Sequence, residues 1–404
     1  MVSICLYFHV HQPYRLKKYS VFEIAKHANY FDTRKNIAIL EKITKKCYIP
    51  MNNLLLKQIH QNNIKAAFSF SGVMLEQLEE HAPEVIQSFQ DLVSTGNVEV
   101  IDETYHHSLA FLFSKKEFKS QVKMHNRKVK QLFGTKPSVF RNTELIYNNE
   151  LAHCVEEMGY KGILTEGADH ILGWRSPNFL YRPKGTKTIK LLLKNYRLSD
   201  DIAFRFSERT WKEWPLSVPK YVNWLNAVNG NGHTINLFMD YETFGEHQWA
   251  STGIFKFMDA LPSHILKHPD NNFKTPSELI SEYEPVAELD IPHVISWADV
   301  ERDVSAWLGN PMQQESIRSL YQMEEKVLAT KDKELIRNWR RLQTSDHFYY
   351  MCTKWFNDGD VHKYFNPYDS PYDAFITFMN ILTDITQRTD KLQQSKIAEV
   401  PITT

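Results

Sequence analysis

The sequence predicts an α/β protein: a distorted (β/α)7 barrel over residues 1–265, then a linker and a C-terminal α-helical bundle over residues 266–404. Three observations carry that prediction. Seven short apolar runs alternate with helix-period segments up to about residue 240, the order of a parallel sheet with helical crossovers rather than of a sandwich. Seven runs instead of eight leave the barrel one unit short. From Trp297 onward the apolar residues recur at helical spacing, as in Ile317, Leu320, Tyr321, Val327 and Leu328, then Leu335, Ile336, Trp339 and Leu342, then Tyr372, Phe375, Ile376, Met379 and Leu382. A doubly wound open sheet is the structural alternative, but no GxGxxG follows the first strand.

Each element has its own signal. Ser3–Val10 is rich in β-branched and aromatic residues and stops at His11-Gln12-Pro13. Helical patterns follow at Arg34–Lys46 and Met51–Gln61. Lys65–Ser71 is the second strand, closed by Gly72, and Pro83 divides the helix of Val73–Ser94. Asn97–Glu103 is the third strand, and Lys115–Phe133 an amphipathic helix stopped by Gly134. Ser138–Thr143 and Lys161–Thr165 are the fourth and fifth strands, separated by a helix at Asn148–Met158. Thr188–Leu193 is the sixth strand and Trp214–Asn226 a helix. In the seventh strand, ending at Asp240, Ile235, Leu237 and Met239 lie on one face and Asn236, Phe238 and Asp240 on the other. The stretch Pro262–Pro292, with its prolines and acids, reads as the connection to the helical cluster.

Composition narrows the function. The 48 basic and 48 acidic residues cancel, which gives no general attraction to nucleic acid or an anionic membrane. Four scattered cysteines form no CxxC or zinc-ribbon spacing, as suits unpaired thiols in a reducing compartment. There is no stretch of about 18 apolar residues and no signal-peptide pattern, so a soluble, cytoplasmic protein is predicted. Aromatics at 13% suit a ligand with flat apolar faces, such as a sugar, or a large core.

The strand ends carry the chemistry. The first offers His9 and His11, the third Glu99 and Glu103 with His106 and His107 beyond, the fourth Glu144, the fifth Glu166, and the seventh Asp240 and Glu242. One charged strand end is a cap; several around one ring share a pocket and perturb one another. Two chemistries are open. His9, His11 and a carboxylate could bind a metal that activates water. Alternatively, two carboxylates could cleave a glycosidic bond, one as acid and the other as nucleophile or base.

The segments HVHQP from His9, GNVEV from Gly96, FRNTE ending at Glu144 and MDYETFG from Met239 resemble the first four sequence regions of glycoside hydrolase family 57. DVSAWLGN from Asp303 resembles the fifth region of its α-amylase branch. The resemblance implies a (β/α)7 barrel with a helical bundle, retaining hydrolysis of α-1,4-glucans, Glu144 as nucleophile and Asp240 as general acid/base. It also implies that His11 and His9 stand near the reacting sugar, that Glu99 and His107 support it, and that Trp307 closes one side of the groove.

Against these stand plainer roles. His9 suits a buried core histidine and His11 an ordering hydrogen bond at the barrel mouth. Glu99 could pair with Arg141, and Asp303 with Arg302 or a helix cap. Trp174 and Trp297 are candidate stacking platforms, or packing residues. Glu242 is expected to hold its loop or touch substrate, and Asp200-Asp201 to form a turn or cap. No cofactor and no metal enter the expected chemistry, and Asp240 is expected to have a raised pKa so that it holds a proton at neutral pH. The competing functions are a 4-α-glucanotransferase on the same site, a metal-dependent carbohydrate deacetylase using His9 and His11, and a non-catalytic glucan-binding protein.

Overall fold

The computed structural model describes residues 2–354 and 366–398. The chain forms two compact units, one of residues 1–12, 37–104 and 122–297, the other of residues 13–36, 105–121 and 298–404. None of the described helices is long and apolar enough to cross a membrane.

The first unit holds all seven expected strands: β1 Val2–Val10, β2 Ala66–Phe70, β3 Val98–Val100, β4 Val139–Arg141, β5 Gly162–Glu166, β6 Lys190–Lys194 and β7 Thr234–Asp240. All ladders among them are parallel. β1 is central, pairing with β2 and β7, and all nine of its residues are buried. That explains why it reads as a nearly continuous apolar run. β2 continues to β3, and β4–β5–β6 form a second ladder. One bridge, Asp102 to Phe140, joins the two sheets on one side. On the other side, β6 and β7 are joined through Asn236, whose backbone oxygen accepts from Asn195 N–H at 2.9 Å. Its side-chain amide donates to the Leu193 carbonyl at 2.8 Å. These two thin seams make the barrel distorted.

Alternation sorts the strand residues into two cores. Ile4, Leu6, Phe8 and Val10 of β1, with Ile235, Leu237 and Met239 of β7, belong to the outer core shared with the surrounding helices. Cys5, Tyr7, Ala67, Ile101, Val139, Leu164, Leu192 and Phe238 fill the barrel interior. Leu279 and Ile280 of the helix Pro276–Glu282 belong to the same inner cluster. That helix and the short strand Asn271–Phe273, which pairs with Val2–Ile4, lie in the stretch read above as a connection; both are integral to the first unit.

The second unit is helical around Pro311–Gln322, Glu324–Thr330, Lys333–Arg341 and Pro371–Ala398. Caps set the starts: the Asn310 side chain accepts from Gln313 N–H at 3.0 Å, and Asp332 from Leu335 N–H at 2.8 Å. In the last helix the buried face is Ala374, Phe378, Ile381, Leu382 and Ile385, while Tyr372 and Ile376 are exposed. The face read from sequence was therefore rotated, because several apolar residues populate both sides of this helix.

The Asn236 seam gives a test. Asn236→Leu keeps the branched outline of the side chain but leaves the Leu193 carbonyl and the Thr234 hydroxyl, which donates to Asn236 at 3.0 Å, without their partner. The urea midpoint should fall by the equivalent of about 1–3 kcal/mol, and an unchanged midpoint would show that the seam contributes nothing.

Candidate active site

Each strand carries its polar cargo two residues beyond the apolar layer, on the same inward face. Tyr7 is followed by His9, Ala67 by Ser69, Ile101 by Glu103, Val139 by Arg141, Leu164 by Glu166, Leu192 by Lys194 and Phe238 by Asp240. Register keeps these levels aligned: His9 stands opposite Ser69 and Asp240, and Glu166 opposite Lys194. The result is a ring of seven polar groups at the C-terminal ends of the strands.

The ring is wired by contacts. His9 Nε2 lies 3.2 Å from Glu103 Oε2, and His9 Nδ1 3.4 Å from Asp240 Oδ1. Glu103 also accepts from the Ser69 hydroxyl at 3.0 Å and lies 3.6 Å from Arg141 Nη1. Lys194 Nζ stands 3.6 Å from Glu166 Oε2 and 3.0 Å from Asp200 Oδ1. Beneath Glu103, the Asp102 carboxylate accepts from Tyr160, Asn126 and His125. Burial opposes a charged His125 ring, but Asp102 and Glu103 raise its pKa above the ordinary histidine value.

Glu144 enters from the turn after β4, where it and Leu145 have φ of 57° and 51°. Left-handed backbone at a non-glycine residue costs on the order of 1–3 kcal/mol. The strand-like segment Ile295–Trp297 holds it there. Tyr147 and Ile295 exchange both backbone hydrogen bonds at 2.9 Å, and Trp297 N–H donates to the Glu144 carbonyl at 3.2 Å. Trp297 then reaches back with its side chain, and the indole N–H donates to Glu144 Oε2 at 2.7 Å. The same indole packs on the inner core and has Arg141 at 5.0 Å and Lys194 at 5.4 Å from its ring centre. Glu144 and Asp240 are thus the two ends of one chain of contacts running through Trp297, Arg141, Glu103 and His9.

After Asp240 the backbone makes a tight turn. His247 N–H donates to the Glu242 carbonyl at 3.0 Å and Gly245 N–H to the Gln248 carbonyl at 2.8 Å. Gly245 has φ of 106°, and a Cβ there would sit 1.9 Å from the Lys46 carbonyl oxygen, so the position requires glycine. Glu242 is buried beneath this turn and accepts from the Tyr48 hydroxyl at 2.5 Å.

The electrostatics reverse one expectation. Burial works to raise the Asp240 pKa, but the hydrogen bond and charge of His9, then His247 and Arg141, outweigh it and hold Asp240 below the usual carboxylate range. The raised carboxyl is Glu242, pushed up to about 8 by burial and by the charge of Asp240, against the hydrogen bond from Tyr48. The two acids of one turn are therefore driven apart, in the opposite sense to the expected one.

The other predicted residues have contacts of their own. His11 Nδ1 lies 2.6 Å from the Ser71 hydroxyl, and its ring stacks on that of His9 with centres 5.7 Å apart. Glu99 is not in the ring. Its carboxylate accepts from the N–H and hydroxyl of Ser277 in the first turn of the helix Pro276–Glu282, and the partner of Arg141 is Glu103. Trp174 projects into solvent, 92% exposed, with Arg175 against its ring. His107, Asp303 and Trp307 belong to the second unit. There the His107 carbonyl accepts from Ser345 N–H, Asp303 accepts from the N–H and hydroxyl of Ser305, and buried Trp307 packs on Tyr349. Ser69, Arg141 and Lys194 are the ring members that strand-end reading passed over; Glu103 and Glu166 were among its candidates. Among the ring, His9 and Glu103 are groups able to take part in holding a metal ion.

Comparison with known proteins places the chain. The sequence profile of glycosyl hydrolase family 57 matches residues 5–292. A Methanocaldococcus jannaschii protein that bears a provisional α-amylase name is 46% identical over 93% of this chain and 82% of its own length. The 4-α-glucanotransferase of Thermococcus litoralis has the same fold at TM-score 0.63 and 18% identity, covering 86% of this chain and 56% of that one. The branching enzyme of Pyrococcus horikoshii superposes at TM-score 0.67 and 16% identity, over 87% and 85% of the two chains.

Glu242 makes the site's pH signature. Its folded pKa of about 8 lies above the ordinary carboxyl value of 4.5, so the stability held below pH 4.5 is lost as pH rises toward 8. Glu242→Gln should abolish that loss: the melting temperature of the wild type should fall between pH 6 and 9 by more than that of the variant. Parallel curves for the two proteins would contradict the assignment.

Proposed function

The chain belongs to glycosyl hydrolase family 57, and we propose that it hydrolyses α-1,4-glucans with retention, with Glu144 as nucleophile and Asp240 as general acid/base. Membership makes the chain a glycoside hydrolase, and the deacetylase and binding-only readings give way to it. The observation that carries the assignment is accessibility. Glu103, Glu166 and Glu242 at the barrel mouth are buried, whereas Glu144 is half-buried and the Asp240 side chain is 42% exposed. Of these five carboxylates, those two are the ones a sugar can reach.

In the first step a carboxylate oxygen of Glu144 attacks C1, the glycosidic C–O bond breaks, and the departing oxygen takes a proton from Asp240. In the second, Asp240 takes a proton from water as its oxygen attacks C1, and the bonding pair returns to Glu144. The low pKa of Asp240 in the free protein fits this cycle if substrate itself changes it. A sugar lying over Asp240 strips water from the carboxylate, which favours its neutral form. His9 faces carboxylates at both nitrogens. Its Nδ1 contact holds the Asp240 carboxylate toward the ring.

Maltoheptaose tests the reading. The wild type should give shorter sugars, released first as the α-anomer by proton NMR. Glu144→Gln and Asp240→Asn should each lose about 10²–10⁴-fold in rate while keeping the wild-type circular dichroism. Products longer than the substrate would make transfer the main reaction, and wild-type rates in both variants would overturn the site.

A further inference from the structure

We infer that Lys194 is a positioning residue for the nucleophile, acting on Glu144 through the indole of Trp297. This rests on the reading of Glu144 as nucleophile. Lys194 ends β6, its side chain 5% exposed, with an ammonium nitrogen 5.4 Å from the Trp297 ring centre. The guanidinium of Arg141 is 5.0 Å from the same centre. Two cations within about 6 Å of one ring are both in cation–π range.

The geometry gives these cations a direction of action. The indole N–H points at Glu144 Oε2, 2.7 Å away. Cations against the ring draw electron density from it and make the N–H a stronger donor, and a hydrogen bond to a carboxylate is strengthened further by the charge of its acceptor. Each cation is anchored by its own carboxylates, Arg141 by Glu103, and Lys194 by Glu166 and Asp200. The indole is thereby fixed in position by two ion pairs from different strands, β4 and β6. A fixed donor on one oxygen sets the rotamer of the Glu144 carboxylate. It also stabilises that carboxylate when it leaves C1, as the C1–O bond of the glycosyl ester breaks and the electron pair returns to Glu144. Lys194 itself touches no substrate atom in this scheme.

The experiment is a double-mutant cycle on maltoheptaose. Lys194→Met should lower kcat about tenfold with KM little changed, and Lys194→Arg should restore most of it. In a Trp297→Phe background, where the N–H is absent, Lys194→Met should cost almost nothing more, because the two residues act in series. Rapid quench and mass spectrometry should find more glycosyl-enzyme in Lys194→Met than in the wild type at steady state. Should Lys194→Met fail to fold, Lys194→Met with Glu166→Gln removes the ion pair with its charge balanced, and the same outcomes apply. Equal losses with the indole present and in the Trp297→Phe background, or wild-type kcat in Lys194→Met, would overturn the inference. If Glu144→Gln is itself fully active, the reading beneath it fails instead, so the two failures are distinguishable.

Discussion

Seven inward-facing polar groups stand directly above seven apolar ones, and nearly everything else about the site follows from balancing them. His9, Arg141 and Lys194 are 3%, 0% and 4% exposed, and a cation such as Arg141 or Lys194 taken out of water at such a depth costs several kcal/mol unless it is paired. Each finds a carboxylate on another strand: Arg141 faces Glu103, Lys194 faces Glu166, and His9 faces Glu103 and Asp240. The pairing ties β1, β4 and β7 to Glu103 beyond β3, across the thin seam at Asp102, and separately ties β5 to β6. The same residues thus brace the barrel mouth and line it.

Within that ring, burial sets Asp240 apart from the acids that neutralise cations. Glu103 and Glu166 neutralise cations and are sealed off, while Asp240 keeps a solvent-facing side chain. Glu144 stands outside the alternating pattern, on a left-handed turn held by the segment that also delivers Trp297. A strained backbone fixed by an antiparallel bridge, an indole bond and a fixed ring beneath it is a preorganised arrangement, which is what a nucleophile in a two-step displacement requires. The neighbouring Glu242 takes the role of the proton-holding acid, but under the turn and out of reach of a sugar.

Much of this was legible in the sequence. The seven strands announced themselves by β-branched and aromatic runs, and the alternation in β7 correctly put Asp240 on the face opposite Ile235, Leu237 and Met239. What sequence could not settle was depth. Glu99, Ile101 and Glu103 share one face of the third strand, yet four residues at about 3.3 Å each put the two acids about 13 Å apart. Only the ladder shows that Glu103 meets His9 while Glu99 accepts from a helix start. The sense of the Asp240 and Glu242 shifts was hidden for a similar reason. It depends on which acid is sealed from water and which one His9 touches, long-range facts that pattern cannot reveal. In the last helix, apolar residues on two sides left the buried face ambiguous until packing chose Phe378, Ile381 and Ile385.

The central claim is that the displaced sugar rests on Glu144 while Asp240 handles the proton. It can be read directly by treating Asp240→Asn with an α-maltosyl fluoride, whose leaving group needs no protonation, and mapping the trapped adduct by peptide mass spectrometry. The account predicts one maltosyl ester, on the peptide containing Glu144. An ester on Glu103, Glu166 or Glu242, or none from a variant that still consumes the fluoride, would contradict it.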